Sequence, residues 1–284
     1  MESLKQKAKE ILVSRNKLGF VQPDDFKKAK TGKAPSNAFL LTHKCGNNYV
    51  SSAFRGTKEK LIQFQTDELV GQMPGPYIGD AKVLSADFLN VRCRNFSALS
   101  LEKLLRTIDI EKTHFFLFVR HPASLFRSAV SYHMRGKEEW AATHKYPHLH
   151  NRTLTQALNE AKRLEDRLVI SMTHFGLVWR LTENWLNCHH YLTVRGANLT
   201  VVKTEDLFAD GDDKYFKRLS DKLSHDGFSI TADDLMESSP IYMENLPAHS
   251  TGEFKNDVMS GYTGKALEMY AQFFRESENF FYSD

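Results

Sequence analysis

The run HFFLFV at positions 114–119 constrains the fold more than any other stretch, because five of its six residues are apolar and most are aromatic or β-branched. A strand without polar alternation has both faces covered, which is the condition of a parallel sheet flanked by helices. AFLLT (38–42), AKVLSAD (81–87) and LTVVK (199–203) share this character. Helical spacing fills the intervals, over 48–54, 100–108, Pro122 to about Met134, 153–167, 172–192, 213–224 and 263–275. Pro122 stands where a first helical turn tolerates proline. This alternation predicts an α/β fold, three-layer αβα with a central parallel sheet. Residues 1–35 read as an N-terminal helix and lead-in, 36–275 as the core, and the whole chain as one domain. Trp179 and Trp185, in the apolar stretch 172–192, read as core rather than as a ligand platform.

Charge narrows the partners. Charged residues are 26% of the chain with both signs interspersed, and the formal net charge is +3. A nucleic-acid coat would show a concentrated basic surplus, so no nucleic-acid partner is expected. No run approaches the ~20 apolar residues of a membrane span, and the opening MESLKQKAKEILVSRNK lacks the apolar core of a signal peptide. Cys45, Cys93 and Cys188 are odd in number and without metal-ligand spacing, so they read as free thiols in a reducing, cytoplasmic setting. The sequons at Asn95, Asn151 and Asn198 then read as chance triplets.

Two segments can hold an anion. In AFLLTHKCGNNYVSSAF (38–54) a strand runs through Lys44, Gly46, Asn47 and Asn48 into a helix. Such a junction aims backbone N–H groups and a helix dipole at one small volume. Gly46 allows close backbone approach, Lys44 adds a mobile charge, and the two asparagines can donate. The plain alternative is an ordinary connection, since the loop lacks the G-x-x-x-x-G-K-[ST] spacing of a nucleotide P-loop. In HFFLFVRHPASLFRSAVSYHMR (114–135), Arg120 ends a buried strand where open α/β sheets place ligand contacts. Ser128 follows within reach of the same group along the next helix. The plain alternative is a strand-capping arginine and a solvent-facing serine.

Together these segments resemble the sulfotransferase superfamily that uses 3′-phosphoadenosine 5′-phosphosulfate (PAPS), which implies a P-loop-like fold over roughly residues 36–275. HKCGNNY takes the place of the family's P-K-[ST]-G-T-T-W. The resemblance implies that Lys44 contacts the 5′-phosphate and bridging oxygen, that Cys45, Gly46, Asn47 and Asn48 line the loop, and that Tyr49 lies beside the adenine. Arg120, Pro122 and Ser128 match R-x-P-x-x-x-x-x-S, the grip on the 3′-phosphate. VVKTEDLF (201–208) resembles the strand ending in Y-E-D-L, with Thr204 in place of tyrosine. TGEFKN (251–256) resembles G-x-W-K-N, with Gly252, Phe254, Lys255 and Asn256 in register. The basic R-K-G triplet before it is absent, so Lys255 or His249 would complete the 3′-phosphate contacts.

The implied activity is transfer of a sulfonate group to a hydroxyl or amine of a small-molecule acceptor, with release of adenosine 3′,5′-bisphosphate and no metal. Lys44 would stabilise the leaving phosphate by the electrostatic logic of phosphoryl transfer. The family's K-T-H-L-P histidine has no counterpart in VLSADFLNV (83–91), which leaves Asp87, Glu68 and His43 as candidate bases. Asp87 could equally be a strand-terminal turn residue. His189 and His190 are adjacent and cannot both face one ion from a regular helix. HKYPHLH (144–150) reads as a solvated loop or acceptor lid within 136–151, and 71–80 as a second wall. The rivals are a divergent P-loop kinase, against which Cys45 stands where a magnesium-binding Ser or Thr belongs, and a non-catalytic bisphosphate-binding module. Acceptor identity and oligomeric state are not written in the sequence.

Overall fold

A computed structural model describes residues 36–46, 50, 61–65, 89–94, 101, 104–105, 108–208, 215–225, 230–237 and 257–283. Its centre is a five-stranded parallel sheet of β1 (Ser36–Leu41), β2 (Leu61–Gln65), β3 (Leu89–Arg94), β4 (Thr113–Val119) and β7 (Asn198–Lys203), in the order β2-β3-β1-β4-β7. The α/β architecture and the parallel sheet follow the expectation. Residues 38–41 of β1 and 115–119 of β4 are fully buried, so the absence of alternation in these runs does reflect cover on both faces. Phe39 and Phe116 are register partners, and their rings stack at 5.3 Å.

Two strands differ from the sequence reading. LIQFQ (61–65) forms β2, which was not foreseen, and LNVRCR (89–94) forms β3. LNVRCR alternates apolar and polar residues, so a search for continuous apolar runs passes over it. The expected strand at 81–87 lies outside the described residues. Of the expected helix at 48–54, Val50 is helical and its N–H donates to Gly46 O at 3.0 Å. Leu101, Leu104 and Leu105 are helical within the expected 100–108.

Helix α1 (Pro122–His133) begins at the expected proline. After it come α2 (Glu139–Thr143) and the two-residue antiparallel pair β5 (Lys145–Tyr146) and β6 (Arg152–Thr153). The expected single helix at 153–167 is two, α3 (Leu154–Glu160) and α4 (Leu164–Ser171). A capping box between Thr153 and Gln156 starts α3, and the Arg167 side chain takes up its last carbonyls, donating from Nε to Leu158 O and Ala161 O at 3.1 and 2.9 Å. The stretch 172–192 is likewise broken. Met172–Val178 is a π-helical turn, Arg180 is left-handed at φ 51°, and α5 (Leu181–Val194) then begins. Gly176 lies so close to the Phe274 and Phe126 rings that a Cβ there would overlap Phe274. Beyond β7 follow α6 (Thr204–Phe208), α7 (Tyr215–Leu223), α8 (Ala232–Glu237), α9 (Gly264–Phe273) and α10 (Arg275–Tyr282). One apolar cluster runs from Ala38 to Phe281 and includes Trp179 and Trp185. Among the described residues no helix is long and apolar enough to cross a membrane.

Topology marks one crevice. From the central β1 the chain passes to β2 and β3 on one side, then to β4 and β7 on the other. The connections therefore diverge beyond the C-terminal ends of β1 and β4, the place where open α/β sheets bind ligands. Thr42–Gly46 follows β1 there, and Arg120 follows β4.

Candidate functional site

The loop after β1 is an unusual backbone held by named contacts. Cys45 N–H donates to Thr42 O at 3.2 Å, and Lys44 and Gly46 both have left-handed φ, 64° and 83°. Glycine accepts that conformation without a Cβ penalty, whereas for lysine it is uncommon. Arg120 supplies a brace: its Nη1 donates to Lys44 O at 3.3 Å and its Nε to Ser124 Oγ at 3.1 Å. Arg120 itself is 4% exposed. From below, the Trp185 indole N–H donates to Thr42 Oγ1 at 2.9 Å.

Helix α1 lines one side. Ser124, Ser128 and Tyr132 recur every four residues, so they form one stripe on the helix, and all three are buried. The Lys44 ammonium rests 3.4 Å from the centre of the Tyr132 ring, a cation–π contact. Burial first, and the Arg120 charge second, lower the Lys44 pKa to about 7. An anion placed against this pair would restore the lysine's proton and relieve the repulsion. The neighbouring Cys45 is buried, and its thiol is pushed up to about 12 by that burial, so it stays protonated and unreactive.

A second layer fixes the start of α1. Glu205 accepts from the His121 backbone N–H at 3.0 Å and from the Tyr282 hydroxyl at 2.7 Å. Thr204 donates its hydroxyl to Val119 O at 2.7 Å, clamping β7 to the end of β4. Thr204 thus holds the strand end behind Arg120. Neither Ser124 nor Glu205 was foreseen, though both lie within segments already singled out.

His43 packs against the end of helix α1. It is 6% exposed, its Nε2 lies 3.1 Å from His133 Nε2, and His133 Nε2 lies 3.0 Å from Glu138 Oε2. Its ring stacks on Phe175 at 5.1 Å, with Trp140 and Trp179 edge-on. No spacing rule could join residues 43, 133 and 138, because the sheet topology brings them together. Asn47, Asn48, Tyr49, Glu68, Asp87, His249, Phe254 and Lys255 lie outside the described residues, as does the loop 71–80.

The stretch 144–150, read as a solvated loop or acceptor lid, is docked in part: Lys145, Pro147 and His150 are exposed, while the rest is covered. Leu149 is buried, and His148 Nε2 meets His174 Nδ1 at 3.0 Å while Tyr146 stands edge-on to His174. Burial first, then His148, pulls the His174 pKa down to about 3. The unfolded chain takes up this proton first, so the stability contributed by neutral His174 is complete above about pH 6.5 and is lost as the pH falls towards 3, by up to roughly 5 kcal/mol. Urea melts at pH 7 and pH 4.5 should show a large loss in the wild type and a clearly smaller one in His174→Phe. Equal losses would refute the assignment.

No protein-family model matches the chain, and no curated protein matches it significantly.

Proposed function

We propose that the chain is a PAPS-dependent sulfotransferase with a P-loop-like, three-layer fold, acting on a hydroxyl or amine of a small soluble acceptor. The observation that supports this best is the bond from the Arg120 guanidinium to the Lys44 backbone carbonyl, which ties one cationic side chain to the loop that carries the other, at the crevice between β1 and β4. A ligand bearing two separated phosphate groups suits such a pair. In this reading Arg120, with Ser124 and Ser128 along α1, holds the 3′-phosphate. Lys44 and the N–H groups around Gly46 hold the phosphosulfate end.

The acceptor oxygen or nitrogen attacks sulfur in line, the bond from sulfur to the 5′-phosphate oxygen breaks, and adenosine 3′,5′-bisphosphate leaves with the electron pair. Charge grows on the bridging oxygen, where a protonated Lys44 is most useful. The acceptor proton passes to a base. Asp87, Glu68 and His43 are the candidates for that base, and His43 Nε2 stands beside His133 and Glu138. The kinase alternative is weakened by Cys45, whose protonated, buried thiol is no magnesium ligand.

Transfer of labelled sulfonate from PAPS over a panel of alcohols, phenols and amines tests the proposal. Turnover with any of them is the expected result. Binding of the bisphosphate with no transfer to any acceptor would support the non-catalytic module instead. Lys44→Ala should lower kcat about 100-fold or more, as loss of one transition-state donor does, while bisphosphate affinity falls by less than about tenfold. Equal effects on both would mean that Lys44 serves binding alone.

A further inference from the structure

We propose that His43, His133 and Glu138 form a site for a divalent transition metal, zinc before others, with one position left open to solvent or ligand. Three possible ligand atoms converge on one point. The separations are 3.1 Å between the two Nε2 atoms, 3.0 Å from His133 Nε2 to Glu138 Oε2, and 3.9 Å from His43 Nε2 to the same oxygen. In a tetrahedral zinc site with bonds of ~2.0–2.1 Å, neighbouring ligand atoms lie about 3.3 Å apart. The observed triangle brackets that value.

Hydrogen-bond bookkeeping favours a cation over a simple polar cluster. His133 Nδ1 lies 2.7 Å from Ala129 O. A carbonyl can only accept, so Nδ1 carries a proton, and in the neutral ring Nε2 presents its lone pair. That lone pair faces the Glu138 carboxylate, and the two acceptors repel unless a proton or a metal stands between them. The backbone carbonyl behind a ligating imidazole is also the usual outer-shell partner that fixes ring orientation and tautomer. A proton relay is the poorer description. It would thread the imidazole, with carboxylate on one nitrogen and the next group on the other. Here Glu138 and His43 meet the same nitrogen, and Nδ1 is spent on the backbone.

The surroundings suit a His₂–carboxylate site. Phe175, Trp140 and Trp179 wall His43 off from water. Glu138, with a side chain 20% exposed, stands at the entrance and supplies the negative charge. Two neutral imidazoles and one carboxylate are a donor set of zinc and of non-haem iron, whereas magnesium and calcium prefer oxygen throughout. Lys44, whose charge is felt at His133, opposes a cation and reduces the affinity. His43 comes from the loop after β1, His133 is the last residue of α1, and Glu138 lies in the following turn. A metal held by all three would pin the anion loop to the end of α1.

Chelator-treated full-length protein would be titrated with cobalt(II), reading the visible bands of four-coordinate cobalt, and with zinc chloride by calorimetry. One equivalent of each should bind, and zinc should raise Tm reversibly. His133→Ala and Glu138→Gln should each weaken binding at least tenfold, whereas His148→Ala and His190→Ala should leave it unchanged. Circular dichroism and urea denaturation check that the variants are folded. If a variant fails to fold, the zinc-dependent rise in Tm of the wild type decides the matter. The proposal is overturned by absence of saturable uptake, by uptake that survives Glu138→Gln and His133→Ala, by loss in the His148 or His190 variants, or by a Tm indifferent to zinc. None of these readouts uses the bisphosphate, so failure of the metal site and failure of sulfonate transfer are told apart.

Discussion

Replacing Arg120 with alanine should weaken adenosine 3′,5′-bisphosphate binding by at least about 100-fold, in line with the 2–5 kcal/mol typical of breaking a buried charged contact. Two losses combine. The guanidinium that would meet a phosphate disappears, and so does the donor that holds the Lys44 carbonyl in its left-handed turn. Ser124 also loses its Nε partner. Arg120→Lys keeps the charge but cannot span Ser124 and the Lys44 carbonyl from one planar group, so it should recover little of the affinity. Calorimetry on both variants, with circular dichroism as a control, measures this. Affinity within threefold of the wild type would remove Arg120 from the site.

Trp185→Ala should cost about 3–5 kcal/mol of stability, the range for emptying a large buried aromatic position. The ring is fully buried, edge-on to Phe281 at 6.4 Å, and its N–H reaches Thr42, the residue after β1. Trp185→Phe isolates that last contact. It keeps most of the apolar volume and loses one hydrogen bond, typically worth about 0.5–1.5 kcal/mol, together with a packing cost from the smaller ring. Urea denaturation should show lower midpoints with unchanged slope, and the phenylalanine variant should retain more than half of the lost stability. A loss as large in Trp185→Phe as in Trp185→Ala would mean that the Thr42 contact dominates.

The chain's α/β character was legible because β4 and β1 write their burial directly as unbroken apolar runs, and because Pro122 marks a helix start. The positions of the Thr42–Gly46 loop and of Arg120 were legible for the same reason: each follows such a strand immediately. β3 was hidden by its alternation, and the breaks at Ala161 and Arg180 by interactions that reach across turns. The Arg167 contacts with Leu158 and Ala161 are set by side-chain direction, which periodicity does not encode. The gathering of His43, His133 and Glu138 depends on β1 and β4 being neighbours, a property of strand order rather than of any local spacing. Thr204 shows the reverse case. Its segment stood out, but its hydroxyl serves the strand end.

The proposed activity requires one crevice to bind a doubly phosphorylated adenosine between Lys44 and Arg120. Isothermal calorimetry of adenosine 3′,5′-bisphosphate into the full-length protein measures this directly. Saturable binding of one equivalent, with 5′-AMP binding markedly more weakly, is the predicted result. No heat of binding from folded protein, or equal affinity for 5′-AMP, would contradict it.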